Sequence, residues 1–581
     1  MKRKDVRKQN IIQVSLILAI IILVNIAGSF FYTRLDLTSE KRYSLSNETK
    51  DMLRDMDDLA YVKVYLEGQF PAGFKRLRDA TREMLDEFRV YAGDNIEYEF
   101  IDPFAGADQK QKRDIFTQLV RKGLKPTNLE VQQEDGRTES VIFPGAIITY
   151  KGREMPLQLL QNKMGVPPEM ALNNSIQTIE FEMANAIRKL KLHKKPAVAF
   201  IEGHGELAEE EVRDITFSLS DSYDVERVRI NGKLGSLKDK DVIIIAKPQT
   251  EFSEKDKFII DQYIMNGGKA LFLIDAVFTS MDSLRTSNAV PGIALDVNLL
   301  DMLFKYGARI NSNLVMDGQL AAQIPVVTGQ NGNIPQQSLY PWPFFPLILS
   351  RAQHPIVKNL DAIKLEFANK VDTVGAPDIR KTILLTTSKY TRIMNAPARV
   401  SLQAIQDFDP AQYNKSYVPT GVLLEGSFES VFKNRIPEVI AENKDISFRE
   451  KGKPTRIIVV GDGDVIKNEV RRSTGDILPM DQDRYTRQPY GNRTFILNAV
   501  DYLIDESGIF AVRSKELRLR LMDRKKVKEE KGQWQVFNLA LPVGIILLFA
   551  FVFGWKRKRK YGQNSQENQP DETVNPPASS D

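Results

Sequence analysis

The sequence lacks several of the residues and motifs on which common catalytic sites depend. Its 581 residues include no cysteine and only three histidines. The absence of cysteine excludes disulfides, thiolate metal sites and a cysteine nucleophile. The phosphate-binding pattern G-x-x-x-x-G-K-[ST] is absent too, as is the G-x-S-x-G turn of a serine nucleophile. We therefore expect no ATP hydrolysis by this chain and no nucleophilic triad.

Charge of one sign is not in excess either. The chain has 81 basic and 76 acidic residues, a formal net charge of +5. This near-balance is not typical of a nucleic-acid-binding protein, and the basic clusters lie beside apolar segments, where anionic lipid head groups account for them. We expect no nucleic-acid partner, a membrane-lipid partner and no cofactor.

Long apolar runs occur at the two ends of the chain. Residues 11–31 and 536–555 are each close to the ~20 apolar residues that cross a bilayer as a helix. The first run is longer than the apolar part of a signal peptide, which favours an uncleaved anchor. The small residues Ala27, Gly28 and Ser29 leave cleavage open as the alternative. The sequence thus predicts two transmembrane helices that flank one large body.

The basic flanks of these helices predict their orientation. Residues 1–10 and Lys556–Lys560 are rich in lysine and arginine, and such flanks stay in the cytoplasm. Both termini are therefore expected inside, with residues ~34–533 outside the cytoplasm. Basic residues between Arg518 and Lys531 oppose this orientation, but long translocated segments obey the charge rule poorly.

The region between the anchors predicts two α/β domains. Alternating strand and helix patterns indicate a small domain, and continuous apolar runs such as Asp241–Ala246 indicate a mostly parallel, doubly wound sheet that is covered on both faces. The predicted organisation is a basic N-terminus (1–10), transmembrane helix 1 (11–31), a juxtamembrane segment (32–57), a small α/β domain (58–165), a linker helix (166–195), a doubly wound domain (196–508) with an insertion at about 318–450 that has its own strands, including Lys381–Thr387, a charged helical stalk (509–533), transmembrane helix 2 (536–555), and a tail that is basic and then disordered (556–581).

The loop Glu202-Gly203-His204-Gly205-Glu206 is the most site-like segment. It follows a buried strand and precedes a helix, the position at which open α/β sheets bind ligands. Two glycines let backbone N–H groups approach a ligand closely, so we predict ligand contacts here. A tight turn with a solvated histidine is the alternative. A metal site would need distant partners, and we predict none.

The turn Gly461-Asp462-Gly463-Asp464 ends another inner strand and is predicted to lie at the same sheet edge. Asp462 and Asp464 are candidates for ligand or cation binding, although their spacing does not match a calcium loop. A polar turn without a ligand is the alternative. A hydrolase that uses Asp462, Asp464 or His204 is a remote third possibility, because no complete set of acid, base and nucleophile is visible.

An aromatic and proline-rich segment, Tyr340–Pro346, cannot form a helix. Its side chains Trp342, Phe344 and Phe345 either cover the core of the insertion or present an apolar surface to a partner protein. We list these three residues as candidate partner-binding residues.

Several short segments carry a family resemblance. They are Arg34-Leu35-Asp36-Leu37-Thr38, Tyr43-Ser44-Leu45-Ser46, Ile176–Lys189 followed by Phe200–Glu206, His354-Pro355-Ile356, Gly491-Asn492 and Asn498-Ala499-Val500. In this order, between two anchors, they resemble GldG, the auxiliary (substrate-binding-like) subunit family of the gliding-motility ABC transporter. The resemblance covers nearly the whole chain.

The resemblance implies a Bacteroidetes inner-membrane protein with a large periplasmic body. It also implies two partners, a GldF-like multi-span permease and a GldA-like cytoplasmic ATPase. The implied sheet is glutamine-amidotransferase-like or flavodoxin-like, in a fold related to a module of intraflagellar-transport proteins. The amidotransferase nucleophile is a cysteine, so that activity is not expected here. We predict a non-catalytic transporter subunit, with a periplasmic module that binds a sugar, peptide or anion as the alternative.

Overall fold

The structure is a computed structural model that divides into two units, Met1–Glu516 and Leu517–Asp581. It describes residues 3–30, 44–68, 70–133, 136–161, 167–192, 194–284, 287, 289–331, 334–406, 408–435, 448–471, 474–514 and 524–562.

The first unit opens with helix α1 (Arg3–Phe30) and contains a small α/β domain. The elements of this domain are α2 (Asn47–Arg54), β1 (Ala60–Val64), α3 (Ala72–Ala92), β2 (Ile96–Phe100), α4 (Gln109–Arg121), β3 (Thr127–Gln133), β4 (Gly136–Ile142), β5 (Gly145–Tyr150) and β6 (Arg153–Gln158). Its main sheet has the order β2-β1-β5-β6, in which β1 and β2 are parallel and the other pairs antiparallel.

Sequence signals explain the local structure of this domain. Ser46 caps α2, because its hydroxyl accepts a hydrogen bond from the N–H of Thr49, as its position before the helix predicts. The apolar face of α3 buries Leu77, Leu85 and Phe88 against the sheet. Helix α5 (Pro168–Lys191) follows and packs on α3, β5 and β6.

The larger domain is built on a seven-stranded sheet with the order β19-β22-β23-β10-β9-β7-β8. The five strands from β23 to β8 are mutually parallel, and β22 is antiparallel to both of its neighbours. Its elements, with those of the inserted region, are β7 (Ala197–Glu202), α6 (Arg213–Ser220), β8 (Asp224–Arg229), β9 (Val242–Ala246), α7 (Glu254–Met265), β10 (Lys269–Leu273), β11 (Val277–Phe278), α8 (Met281–Leu284), β12 (Ala289–Ala294), α9 (Leu300–Tyr306), β13 (Ala308–Ile310), β14 (Asn313–Asp317), β15 (Ala321–Asn331), β16 (Ile334–Ile348), β17 (Ile363–Lys364), β18 (Val371–Thr373), β19 (Arg380–Thr386), β20 (Thr391–Asn395), β21 (Ala398–Ser401), β22 (Pro419–Glu429), β23 (Lys451–Val460) and α10 (Asn492–Ile504).

Both faces of this sheet are buried, which explains its continuous apolar strands. Along β9, Ile244 packs into a core with helices α6 and α10, whereas Ile243 and Ile245 pack into a second core with α7 and α9. Alternate side chains of a strand point to opposite faces, so a sheet covered on both sides needs apolar residues at every position. The predicted mixed α/β class is confirmed.

Two predictions about chain segments need correction. The segment Lys381–Thr387 was expected to be a strand of the insertion itself, but β19 joins the large sheet beside β22. The charged stalk was expected to begin at residue 509, but Ile509–Ser514 is a short 3₁₀ helix whose Ile509 and Phe510 are buried in the core of the small domain. Burial of these two apolar residues fixes the segment to the small domain, although the residues that follow it in the sequence are strongly charged. Residues 515–523 of the predicted stalk lie outside the described residues.

The second unit contains one long helix, α11 (Arg524–Gly562). By length and composition, its segment Lys526–Arg559 is able to cross a membrane, and the apolar part of this segment is not buried against the rest of its unit. The apolar stretch of α1, Ile12–Ile26, is shorter. One helix of the described residues thus meets the length of a membrane span, and the N-terminal helix is compatible with anchoring.

Candidate functional site

The candidate site lies at the carboxyl edge of the five parallel strands. Parallel strands end at one edge of a sheet, and ligands bind there where the strand order reverses. In this sheet the reversal falls at β7, whose neighbours are β8 and β9. Charged residues follow the strands at this edge: Lys247 after β9, Asp275 after β10, and Asp464 after β23.

These residues form a continuous network of ion pairs. The ammonium of Lys247 pairs with the carboxylate of Asp464 and lies 3.5 Å from Oδ2 of Asp275. Lys467 extends the network, with its Nζ 3.7 Å from Oδ1 of Asp464 and 2.9 Å from Oε1 of Glu211. Each lysine therefore faces two carboxylates, and the network joins four separate segments of the domain: those that follow β9, β10 and β23, and the one before α6 that carries Glu211.

Backbone geometry explains the two glycines of the turn after β23. A Cβ on Gly461 would lie 2.5 Å from the carbonyl oxygen of Asn369, and one on Gly463 would lie 2.5 Å from Cβ of Lys247. The N–H of Gly463 donates a 2.7 Å hydrogen bond to Oδ1 of Asp275. Glycine at these positions thus allows the turn to approach the neighbouring strands closely enough for the network to form.

Asp462 and Asp464 have different roles in the turn. Asp462 is fully buried, and its carboxyl oxygens accept hydrogen bonds from the N–H groups of Glu366 (2.6 Å) and Asp464 (2.7 Å). Asp464 instead faces Lys247 and lines the cleft described below. The structure therefore brings one predicted carboxylate to the cleft and uses the other to hold the turn.

Burial and neighbouring charges separate the protonation states of the network. Burial raises the pKa of Asp275 to about 6, although Lys247 opposes the shift. Burial and Asp275 raise the pKa of Asp462 well above its usual range. Burial acts the same way on Asp464, but Lys247 and Lys467 outweigh it and lower its pKa. Burial disfavours the charged form of Lys247, yet Asp464 and Asp275 outweigh it and raise the pKa of this lysine. These shifts favour an ionised pair of Lys247 and Asp464 and oppose the ionisation of the neighbouring Asp462.

A cleft of about 1050 Å³ opens above this network. Its size is close to the upper limit of small-molecule sites, whose walls combine apolar surface with a few polar groups. Among the described residues, no group of three or more carboxylates and imidazoles is placed to hold a metal ion. The walls suit a polar organic ligand, and they include Phe278, Val327, Lys467, Arg484 and Tyr485.

The Glu202–Glu206 loop lies at the end of β7, but its side chains do not line this cleft. The ring of His204 is buried and stacks on Phe252, with ring centroids 3.6 Å apart. Its Nδ1 lies 3.2 Å from Oε1 of Glu206, and its Nε2 lies 3.3 Å from Oδ2 of Asp256. Glu202 is paired with Arg227. The prediction of a ligand-contacting loop remains untested, and the alternative of a solvated histidine is wrong.

Gly203 and Gly205 adopt the left-handed conformation, with φ of 120° and 72°. Such φ values strain any other residue, so both positions require glycine for the sharp turn that buries His204. The carbonyl of His204 accepts hydrogen bonds from the N–H groups of Gln249 and Thr250. The loop thus holds the segment after β9, which carries Lys247 into the network.

We expect the stability contribution of His204 to fall as the pH rises. Burial lowers the pKa of His204, but Glu206 and Asp256 outweigh it and raise the pKa above 6.5. The contribution is therefore fully present below the unfolded-state pKa of about 6.5 and is lost as the pH rises through the higher folded-state value. Urea midpoints of wild type and His204→Gln, compared between about pH 5 and pH 9, should converge at high pH.

His354 is a control for this experiment, because its pKa is shifted in the opposite direction to that of His204. Burial lowers the pKa of His354 to about 4, so this residue destabilises the folded chain as the pH falls from about 6.5 towards 4. His354→Gln should reduce acid sensitivity and leave the loss at high pH unchanged. A difference between wild type and His204→Gln that stays constant over the whole pH range would contradict the assignment.

The structure corrects the partner-binding interpretation of the aromatic segment. Trp342, Phe344 and Phe345 lie on strand β16, and all three side chains are buried in one core of the inserted region. Trp342 and Phe344 contact each other with ring centroids 5.2 Å apart. A buried ring cannot present a surface to a partner, so the alternative assignment to the core of the insertion describes these residues.

Sequence reasoning missed Lys247, Asp275 and Lys467. A usable signal existed for the first two, because each directly follows an apolar strand segment of the same kind as the one before Gly461. Ligands bind at the carboxyl ends of parallel strands, and applying this rule to every such strand would have placed both residues at one edge of the sheet. Lys467 carries no comparable signal, because it follows a short 3₁₀ turn, Asp464–Ile466.

Comparison with known families places this site in context. Residues 195–499, more than half of the chain, match the auxiliary family described as "ABC-type uncharacterized transport system". The chain belongs to this family. The match includes the large sheet, the charged network and the cleft, and it supports an ABC-transporter-associated role for the domain that carries the candidate site. Residues 39–149 match a domain of unknown function, DUF7088.

Individual relatives add little detail. An uncharacterized protein from Borreliella burgdorferi is 22% identical over 574 residues, which cover 96% of this chain and 100% of that protein. Among solved structures, the mmIFT52 N-terminal domain is 12% identical with a TM-score of 0.30 and covers 53% of this chain and 97% of that one. A ThuA-like protein from Parabacteroides merdae is 12% identical with a TM-score of 0.27, over 54% of this chain and 90% of that one. These TM-scores carry no argument about function.

Proposed function

We propose that this protein is a non-catalytic, membrane-anchored auxiliary subunit of an ABC transporter complex linked to gliding motility. In this proposal its membrane helices dock on a GldF-like permease, and a GldA-like ATPase hydrolyses the nucleotide. The periplasmic body engages an envelope partner or couples ATP-driven motion to it. The family match over residues 195–499 is the observation that carries the proposal. The absence of a phosphate-binding loop supports the division of labour with a separate ATPase.

Both anchors and their orientation are part of the proposal. Trp534 and Trp555 flank the apolar part of α11, and tryptophan is typical of the two membrane interfaces. The helix between them covers roughly the 30 Å of a hydrocarbon core. Helix α1 is proposed as the second anchor. The basic flanks described above support cytoplasmic termini and a periplasmic body at the inner membrane.

The larger domain is proposed to be flavodoxin-like. Its parallel strands β8-β7-β9-β10-β23 follow the order 2-1-3-4-5 of that fold. The ionised state of Lys247 supports a non-catalytic role, because an ammonium held between carboxylates is not a nucleophile. Asp462, one of the three residues considered for acid–base chemistry, is fully buried and accepts hydrogen bonds from backbone N–H groups.

The cleft supports a second candidate function, a periplasmic module that binds a sugar, peptide or anion. Its volume and its mixture of charged and aromatic wall residues favour this alternative. The two functions are compatible in one subunit, because the cleft and the membrane helices belong to different parts of the chain.

Copurification tests the transporter assignment. Full-length protein with an affinity tag, solubilised from its native membrane in mild detergent, should recover a multi-span permease and a nucleotide-binding subunit. A variant in which residues 534–555 are replaced by an unrelated apolar helix of equal length is the matched control, and it should recover less of both. Repeated recovery of the tagged chain without either subunit would refute the assignment and leave the ligand-binding alternative.

A further inference from the structure

The N-terminal end of the body is fixed to helix α5. The side chain of Leu45 is buried, and the N–H of Ser46 donates a 2.6 Å hydrogen bond to Oε1 of Glu180 on α5. Helix α2 follows immediately and buries Met52 and Leu53 in the core that contains α5. The chain that arrives from α1 is therefore anchored as soon as it reaches the body.

The C-terminal end of the body is fixed to the same helix. The ring of Phe510 is buried against that of Phe181 on α5, with centroids 5.1 Å apart and nearly perpendicular planes. The carboxylate of Asp505 accepts hydrogen bonds from the N–H groups of Ser507 (3.0 Å) and Phe510 (2.9 Å), which sets the turn before this contact. The chain thus leaves the large domain and enters the core of the small one before it continues towards α11.

The two ends meet each other. A Cβ placed on Gly508 would lie 3.5 Å from Cγ of Glu48 in α2. These positions are more than 450 residues apart in the sequence. The first helix of the body, α2, and the last segment described before α11 therefore lie side by side.

Buried ion pairs lock this arrangement to the large domain. Lys189 of α5 lies 2.9 Å from the carboxylate of Asp501 on α10, and Arg188 lies 4.0 Å from that of Asp505. Tyr223 also donates a hydrogen bond to Asp501. Separating α5 from α10 would leave buried charges without partners, which is strongly unfavourable. The small and large domains are therefore held together at the point where the chain ends meet.

We propose that residues 44–54 and 505–514, clamped on α5, form a tether junction. Through this junction both membrane-linked ends of the body act on one rigid point, so that a pull on either end moves the small and large domains together. Ends that left from different domains would instead pull the domains apart. The nature of the pull rests on the proposed function, but the existence of the junction does not.

Disulfide trapping tests the junction directly, because the natural chain has no cysteine. The double variant Glu48→Cys/Gly508→Cys, in full-length protein in native membranes, should form an intramolecular disulfide on mild oxidation, visible as a mobility shift that reductant reverses. Each single variant is the matched control and should show no shift. A disulfide that forms only after denaturation, or whose yield falls when ATP is supplied to the membranes, would overturn the proposal.

Gly508 has a φ of 75°, so a cysteine at this position is strained. A second experiment therefore leaves Gly508 unchanged and measures amide exchange. Phe510→Ala removes the exit contact. Because entry and exit are coupled in the proposal, amide exchange in 47–54 should accelerate by on the order of tenfold or more. Phe304→Ala, at a half-exposed phenylalanine on α9, is the control. Faster exchange confined to 505–514 would overturn the junction. If the protein did not copurify with a permease and an ATPase, but the disulfide and the amide-exchange results were as expected, only the proposed function would be refuted.

Discussion

Replacement of Lys247 by alanine is expected to lower the free energy of unfolding by about 3–5 kcal/mol, because it leaves a buried carboxylate without its cation. Lys247 pairs with Asp464 and lies 3.5 Å from Asp275. Both carboxylates are more than nine-tenths buried by side-chain area, so they are poorly solvated once the ammonium is removed. The neighbouring Lys467 lies 3.7 Å from the other oxygen of Asp464 and is also paired with Glu211 at 2.9 Å, so it compensates only in part for the lost ammonium.

Denaturant unfolding of the detergent-solubilised full chain, followed by a probe of the large domain, measures this loss. The matched control is Lys451→Ala, which breaks a 3.4 Å ion pair with Asp378 in which both side chains are largely exposed. Exposed pairs contribute about 0–1 kcal/mol, so the control should change the midpoint little. Equal effects of the two substitutions would show that the Lys247 network is not a buried structural element.

The contrast between Lys247 and Asp464 shows which part of the site could be predicted from the sequence and which part could not. The turn after β23 and its position at a sheet edge followed from a strand of continuous apolar residues ended by glycine and aspartate. The partner of Asp464 did not follow, because Lys247 is 217 residues away in the chain. A strand pattern predicts that a residue lies at an edge, but not which strand is its neighbour. That information is in the strand order, which hydrophobic periodicity does not contain.

His204 and Phe510 show a second limit. The glycines around His204 predicted a sharp turn, and the structure has one. The side chain of His204, however, is buried against Asp256 of helix α7 and against Phe252, which precedes that helix. Phe510 lies in a segment whose charged continuation suggested a solvated stalk. In both cases a single residue is buried by elements distant in sequence, and local composition cannot report such a contact.

Replacement of Trp342 by alanine is expected to destabilise the inserted region by about 3–5 kcal/mol, the range for removal of a fully buried large aromatic side chain. Trp342 has no exposed surface and packs beside Phe344 in a core that also contains Phe367. Its Nε1–H has no hydrogen-bond acceptor within the part of the chain that the structure describes. Trp342→Phe should therefore cost less than Trp342→Ala, because the indole N–H makes no bond that is lost.

Thermal unfolding, read by the fluorescence of an inserted-region probe or by amide exchange over β16, separates the core interpretation from the partner interpretation of the aromatic segment. Tyr340→Ala is the matched control, because this residue is on the same strand but 39% exposed. It should cost well under half as much, since it removes less buried surface. If Trp342→Ala left unfolding unchanged and instead abolished recovery of a partner protein, Trp342 would be a surface contact residue. Because a buried ring can reach a partner only after the core opens, we expect the stability loss to be seen in the isolated subunit, before any partner is added.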